Sequence, residues 1–188
     1  SIVGVVEQVG YKQCKVRLVT DPTLVPSVRA IRGSRQNHYL FERMEEMISA
    51  IELREDLFSS AEVQNNILRS LYHLKSVLSQ NSPDRFLAKG ELHGTVSPLW
   101  RTRSHTLKGI GFNYDFADIE GPARDLRTGE IDPLLSKQAA ESILKVGDLL
   151  ITTGYDGVFP AGLEVGIVSK VERLREGACS YELEARLT

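Results

Sequence analysis

Residues 146–172 read VGDLLITTGYDGVFPAGLEVGIVSKVE. The stretch holds two apolar runs around a core of glycine and proline, and no evident catalytic group. Asp148 to Gly154 (DLLITTG) has the composition of a buried strand. Tyr155-Asp156-Gly157 is a tight-turn signal, with Gly154 and Gly157 free to take positive φ. The run from Val158 to Glu172 reads as a strand broken at Pro160 and Gly162 and then resumed. Gly162 and Gly166 fit a bulge and a close backbone approach, and Phe159 beside Pro160 fits a plug into a core at the strand break. The next segment, REGACSYELEARL, is a turn and a last strand. Glu182, Glu184 and Arg186 alternate there with Leu183, Ala185 and Leu187. The content of the region is backbone geometry, and closing a small barrel would by itself account for it.

Other strands lie outward from this centre. Residues 2–9 are β-branched and apolar, and Gly10 with the polar residues after it signals a turn. CKVRLVT then alternates, with Cys14, Val16 and Leu18 on one face and Lys15, Arg17 and Val19 on the other, which predicts a hairpin with one face buried. SVRAIRG is a short strand. The pattern changes at about residue 39. Leu40, Phe41, Met44, Met47, Ile48 and Ile51 recur at helical spacing, with glutamates and Arg43 on the other face. Ser59-Ser60-Ala61-Glu62 predicts a capping box opening a second helix, whose stripe is Val63, Ile67, Leu71, Leu74 and Leu78. Asn81-Ser82-Pro83 ends it. The two helices form a hairpin, and Phe41, Met44, Met47, Ile48, Ile51, Ile67, Leu71 and Leu74 make its candidate interaction surface. Strand chemistry returns in FLAKGELHGTVS and TLKGIGFNYDFADI. Residues 115–133 read as a polar loop, and Asp132-Pro133 reads as the start of a short helix over 134–145. The fold class is mainly β, with many short strands, Gly-rich turns and an inserted helical hairpin.

The chain has 188 residues, 41% hydrophobic and 26% charged, with net charge −2. That balance gives no global field toward nucleic acid or an anionic membrane, so neither is an expected partner of this segment. No run reaches the ~18 apolar residues of a membrane helix. Cys14 and Cys179 form no close metal-ligand pair and read as half-buried strand thiols. His38, His73, His93 and His105 have no i, i+2 or i, i+4 partner among themselves, so no metal is expected. Phosphate-loop, zincin and nucleophile-elbow motifs are absent from the sequence. Ser97 and Ser104 sit in no nucleophile context. Arg101, Arg103, His105 and Lys108 surround Trp100, an arrangement that suits an exposed loop with one packed aromatic. Neither cofactor nor catalytic constellation is expected.

The opening stretch closely resembles the signature of the MreC family, bacterial rod shape-determining proteins. The matching positions are Gly147, Asp148, Thr153, Gly154, Gly157, Val158, Phe159, Pro160, Gly162, Leu163, Val165 and Gly166. The N-terminal segment resembles the family's central element through Val3, Gly4, Val6, Val9, Gly10, Val16, Leu18, Thr20 and Asp21. KGELHGT resembles its Arg-Gly-x-x-x-Gly element. The resemblance implies two small β-barrels outside the inner membrane, following a membrane helix and a coiled coil that would lie upstream of this chain. Residues 1–26 would then be the C-terminal part of the first barrel, and 27–188 the second, interrupted by the hairpin at about 39–82. It implies a non-enzymatic periplasmic scaffold that self-associates, binds penicillin-binding proteins and MreD, and connects indirectly to MreB. The insertion departs from the family pattern, so its role is not implied.

Two other functions compete. A periplasmic adaptor of an export system also combines helical hairpins with small barrels, and the match over 147–166 weighs against it. A two-barrel hydrolase would need a reactive serine, which an active-site probe would label.

Overall fold

The computed structural model describes residues 2–58, 60–79, 82–94, 106–113, 142–174 and 177–188. The chain divides into two compact units, Ser1–Ile31 with Phe86–Thr188, and Arg32–Arg85.

The first unit is a barrel. Its strands are β3 (Ser27–Arg32), β4 (Arg85–Gly94), β5 (Thr106–Asn113), β6 (Leu149–Thr152), β7 (Glu164–Val171) and β8 (Tyr181–Leu187). They close in the order β3-β4-β5-β8-β7-β6, with β6 pairing back onto β3. Closure removes the sheet edges that would otherwise expose unpaired backbone groups. Alternation along the strands sends Val28, Ala30, Leu92, Leu107, Leu150, Val165, Val168, Leu183 and Ala185 into one buried cluster. Phe112 is fully buried in it, and its ring lies where a side chain at Gly90 would stand, 2.5 Å from a Cβ there. Glycine in KGELHG is thus set by the space the aromatic ring fills. β6 is buried on both faces, because Leu149 and Ile151 join Ile31 in a second cluster while Leu150 belongs to the first. That double burial explains its unbroken apolar run.

β1 (Gly4–Val9) and β2 (Cys14–Leu18) form a separate two-stranded sheet. Val6 pairs Val16, Gly4 pairs Leu18 and Val9 pairs Cys14, which gathers the apolar side chains on one face as the alternation predicts. That face is exposed, not buried: Val6, Val9, Val16 and Leu18 all meet solvent. A two-stranded sheet has no second layer of its own to cover it. The other face is polar, with Glu7 bridging Lys15 at 3.0 Å and Arg17. Ile2 donates to the Glu164 carbonyl at 3.2 Å, and Val19 is buried in the barrel cluster, so the core reaches back beyond residue 26. Cys14 and Cys179 are free and exposed, contrary to the half-buried expectation, and Cys179 precedes β8 in a turn.

The second unit is the helical hairpin, α1 (Ser34–Leu53) and α2 (Ala61–Leu78), joined through a 3-10 turn at Glu55–Leu57. α1 begins five residues before the position its apolar spacing predicts. Its first amides are satisfied from far along the chain: Ser34 donates to the Ser82 carbonyl at 3.0 Å and Arg35 to the Asp84 carboxylate at 3.0 Å. The N-cap of α2 is Ser60, whose hydroxyl accepts from the Val63 amide. Val63 therefore holds the N3 position and Glu62 stands in the first turn, one residue off the register of the predicted capping box. Ser142 to Lys145, the described end of the helix predicted over 134–145, is not helical, and Ile143 and Leu144 are core residues. The polar loop at 115–133, Ser97, Ser104 and the cluster at Trp100, Arg101, Arg103 and His105 lie outside the described residues.

Candidate functional site

The signature residues form one continuous structure around the β6–β7 connection. Before β6, Asp148 is buried and its carboxylate accepts the Lys145 amide at 2.7 Å. Gly147 donates to the Val168 carbonyl at 2.8 Å, and Val168 donates to that of Asp148 at 2.9 Å. After β6 the chain makes a compact excursion from Thr153 to Leu163. Thr152 is buried and spans its base. Its hydroxyl donates to the Pro160 carbonyl at 2.5 Å and accepts the Leu163 amide at 3.0 Å, while Gly162 donates to its carbonyl at 2.8 Å. Gly154 sits at φ +81°, which a Cβ would strain. Gly166 in β7 packs so closely on β8 that a Cβ would stand 2.6 Å from the Arg186 carbonyl oxygen. Phe159 is buried beneath the turn, in the plug position that its neighbour Pro160 suggests.

Asp156, which the sequence places only in a turn, reaches well beyond it. Its carboxylate accepts the amides of Val158 at 2.9 Å and Phe159 at 3.0 Å within the loop, and that of Ser27 at the start of β3 at 2.9 Å. Partial burial alone would raise its pKa. The three amides outweigh that and hold the carboxyl below the ordinary aspartate value. Thr153 adds a second tie, donating from its hydroxyl to that of Ser27 at 2.8 Å. An aspartate before a glycine in a turn is the local signal. The partner 129 residues away is not readable locally.

This bracing presents apolar groups outward. Tyr155, Val158 and Leu163 are exposed on the loop. The Lys89 ammonium lies 4.8 Å from the Tyr155 ring centre, and Arg29 stacks 4.6 Å over Phe86, which is also exposed. Burial, with Arg29 nearby, lowers the Lys89 pKa. The result is an apolar and aromatic surface with two cations, on a hydrogen-bonded base. Such a surface suits recognition of a protein partner. Among the described residues no group of His, Cys, Asp and Glu could hold a metal. His38 contacts Glu42 at 3.3 Å and His93 contacts Glu91 at 3.6 Å.

The structure divides the eight hairpin candidates. Phe41, Met44, Ile48, Ile51 and Leu71 are buried or half-buried in the seam between α1 and α2, whereas Met47, Ile67 and Leu74 are exposed. Polar ties across the seam include Lys75 to Glu45 at 2.6 Å, Tyr72 to Glu52 at 2.9 Å and the Gln64 side-chain Nε2 to the Ile51 carbonyl at 3.0 Å. No helix among the described residues is long and apolar enough to cross a membrane.

Residues 122–188 match the family model described as rod shape-determining protein MreC, barrel core. No curated protein matches the chain. Among solved structures, that of MreC from Pseudomonas aeruginosa is similar, at 21% identity and a TM-score of 0.31. The match covers 53% of this chain and 43% of that one, so the chain spans less than half the length of that structure. The likeness to the MreC family of rod shape-determining proteins thus rests on residues 122–188, which match its barrel core.

Proposed function

We propose that this chain is a non-enzymatic scaffold of the wall-synthesis machinery, acting in the periplasm and held at the inner membrane by an anchor outside this chain. It binds penicillin-binding proteins and MreD, self-associates, and connects indirectly to MreB. The observation that carries this reading is the braced β6–β7 loop, which spends its buried polar groups on fixing backbone and exposes Tyr155, Val158 and Leu163. An exposed apolar surface on a loop held by this many hydrogen bonds suits binding of a protein partner. In the same reading residues 1–26 are the C-terminal part of a first barrel, and the uncovered face of β1–β2 supports that assignment.

The test is binding of the purified penicillin-binding proteins of the same cell to the chain and to a Tyr155→Ala/Val158→Asp variant. Both side chains are exposed, so the melting temperature should stay within a few degrees of the parent, while affinity for one enzyme falls by about tenfold or more. Equal binding by both chains would remove the loop from the interface. Binding of export-pump components instead would favour the adaptor.

A further inference from the structure

The hairpin has two unlike sides. α1 and α2 meet along seam positions spaced four and three residues apart: Phe41, Met44, Ile48 and Ile51 on one helix, Leu68, Leu71, Lys75 and Leu78 on the other. In an antiparallel helix pair the residues just before alternate seam positions share one side, and those four residues after them share the other. Glu45, Glu52 and Tyr72 share the second side, which the Lys75–Glu45 and Tyr72–Glu52 hydrogen bonds close off. The first side carries Leu40 and Met47 from α1 and Ile67 and Leu74 from α2. On α2 the apolar strip is widened by Val63 and Val77. These six residues are 37–52% exposed. On α1 the corresponding outer positions are Gln36, Arg43 and Ala50, so the strip centres on α2.

That strip is self-complementary. Val63, Ile67, Ser70, Leu74 and Val77 follow one another at intervals of four, three, four and three, with no charge among them. Reversing the helix direction about Ser70 sets Val63 against Val77 and brings Ile67 to within one residue of Leu74, with the small Ser70 facing itself. A two-fold interface needs this property, that residue i meets j while j meets i. Antiparallel packing also opposes the two helix dipoles. The six apolar residues offer about 500 Å² per copy, and so about 1,000 Å² in a pair, which reaches the area of a specific but weak interface.

We propose that this face is a homodimer contact, in which α2 of one copy packs antiparallel on α2 of a second, centred on Ser70. Leu40 and Met47 of each copy flank the central pair, giving a four-helix arrangement. The inference rests on helix geometry and stands whether or not the chain binds a wall enzyme.

Sedimentation of the full chain over a concentration series tests it. The parent should pass from monomer to dimer between about 10 µM and 0.5 mM, the range expected of a small interface. Ile67→Glu should stay monomeric throughout with unchanged helical circular dichroism. In a Cys14→Ser/Cys179→Ser background, Ser70→Cys should be captured as a dimer by a short bismaleimide. Asn65→Cys, on the opposite side of α2, should not. A parent that is monomeric throughout overturns the proposal. So does a dimer that survives Ile67→Glu, or crosslinking at residue 65 and not at 70.

Discussion

Asp156 ties the signature loop to the rest of the barrel, and it does so with one carboxylate shared by three amides. Removing the side chain leaves the Ser27, Val158 and Phe159 amides to find water in a partly buried site. Asp156→Ala should therefore cost about 2 kcal/mol of stability at neutral pH. The same geometry fixes the pH dependence. The folded-state pKa lies below the unfolded one, so the contribution is present above the ordinary aspartate value of 3.8 and is lost as pH falls through the lower, folded value. Urea midpoints of parent and variant should accordingly differ at pH 7 and converge as the pH is taken well below 3.8. A gap that persisted unchanged in acid would assign the effect to packing instead of charge. Thr152 works in the same local way, which is why a stretch so short of chemistry is rich in glycine, threonine and aspartate: those residues shape backbone.

At the scale of elements, α1 takes the cap of its first turn from residues that follow α2. Gly33 at its N-cap offers no side-chain acceptor, and its first turn has no acidic residue. The Asp84 carboxylate supplies the missing acceptor at 3.0 Å from the Arg35 amide, with the Arg35 guanidinium 3.6 Å away. Asp84→Ala should fray the first turn, costing about 1 kcal/mol, and amide exchange at Arg35 and its neighbours should rise while the middle of α2 stays protected. This long-range cap also explains what could be read in the sequence. The helices were legible from apolar spacing, but Ser34 to Asn37 carries none, and the acceptor lies 49 residues on. The strands β6, β7 and β8 were legible because barrel closure demands alternation or full burial. Asp156 was visible only as a turn residue, since its tie to Ser27 depends on β3 meeting β6. The seam of α2 lies slightly rotated from the stripe its apolar spacing predicts, because Val63, Ile67 and Leu74 form a second apolar strip beside Leu68 and Leu71.

For the whole molecule, the hairpin unit begins and ends at one place. The Ser34 amide meets the Ser82 carbonyl at 3.0 Å, and a Cβ on Gly33 would stand 2.5 Å from the Pro83 carbonyl oxygen. An insertion with abutting ends can be removed with little strain on the chain that flanks it. Among the described residues the barrel cluster is drawn from outside the hairpin helices: Val28, Ala88, Leu92, Phe112, Val168 and Leu183 all lie outside α1 and α2. Deleting residues 34–82 and joining Gly33 to Pro83 should therefore leave a barrel with strand-type circular dichroism and one cooperative melting transition. The helical signal should vanish, and with it the concentration-dependent dimer seen by sedimentation. Such a result would separate the role of the insertion from that of the signature loop, whose binding surface at Tyr155 and Val158 would remain. A deletion product without a cooperative transition would show instead that the barrel relies on the hairpin, making the insertion part of the fold and not an attachment to it.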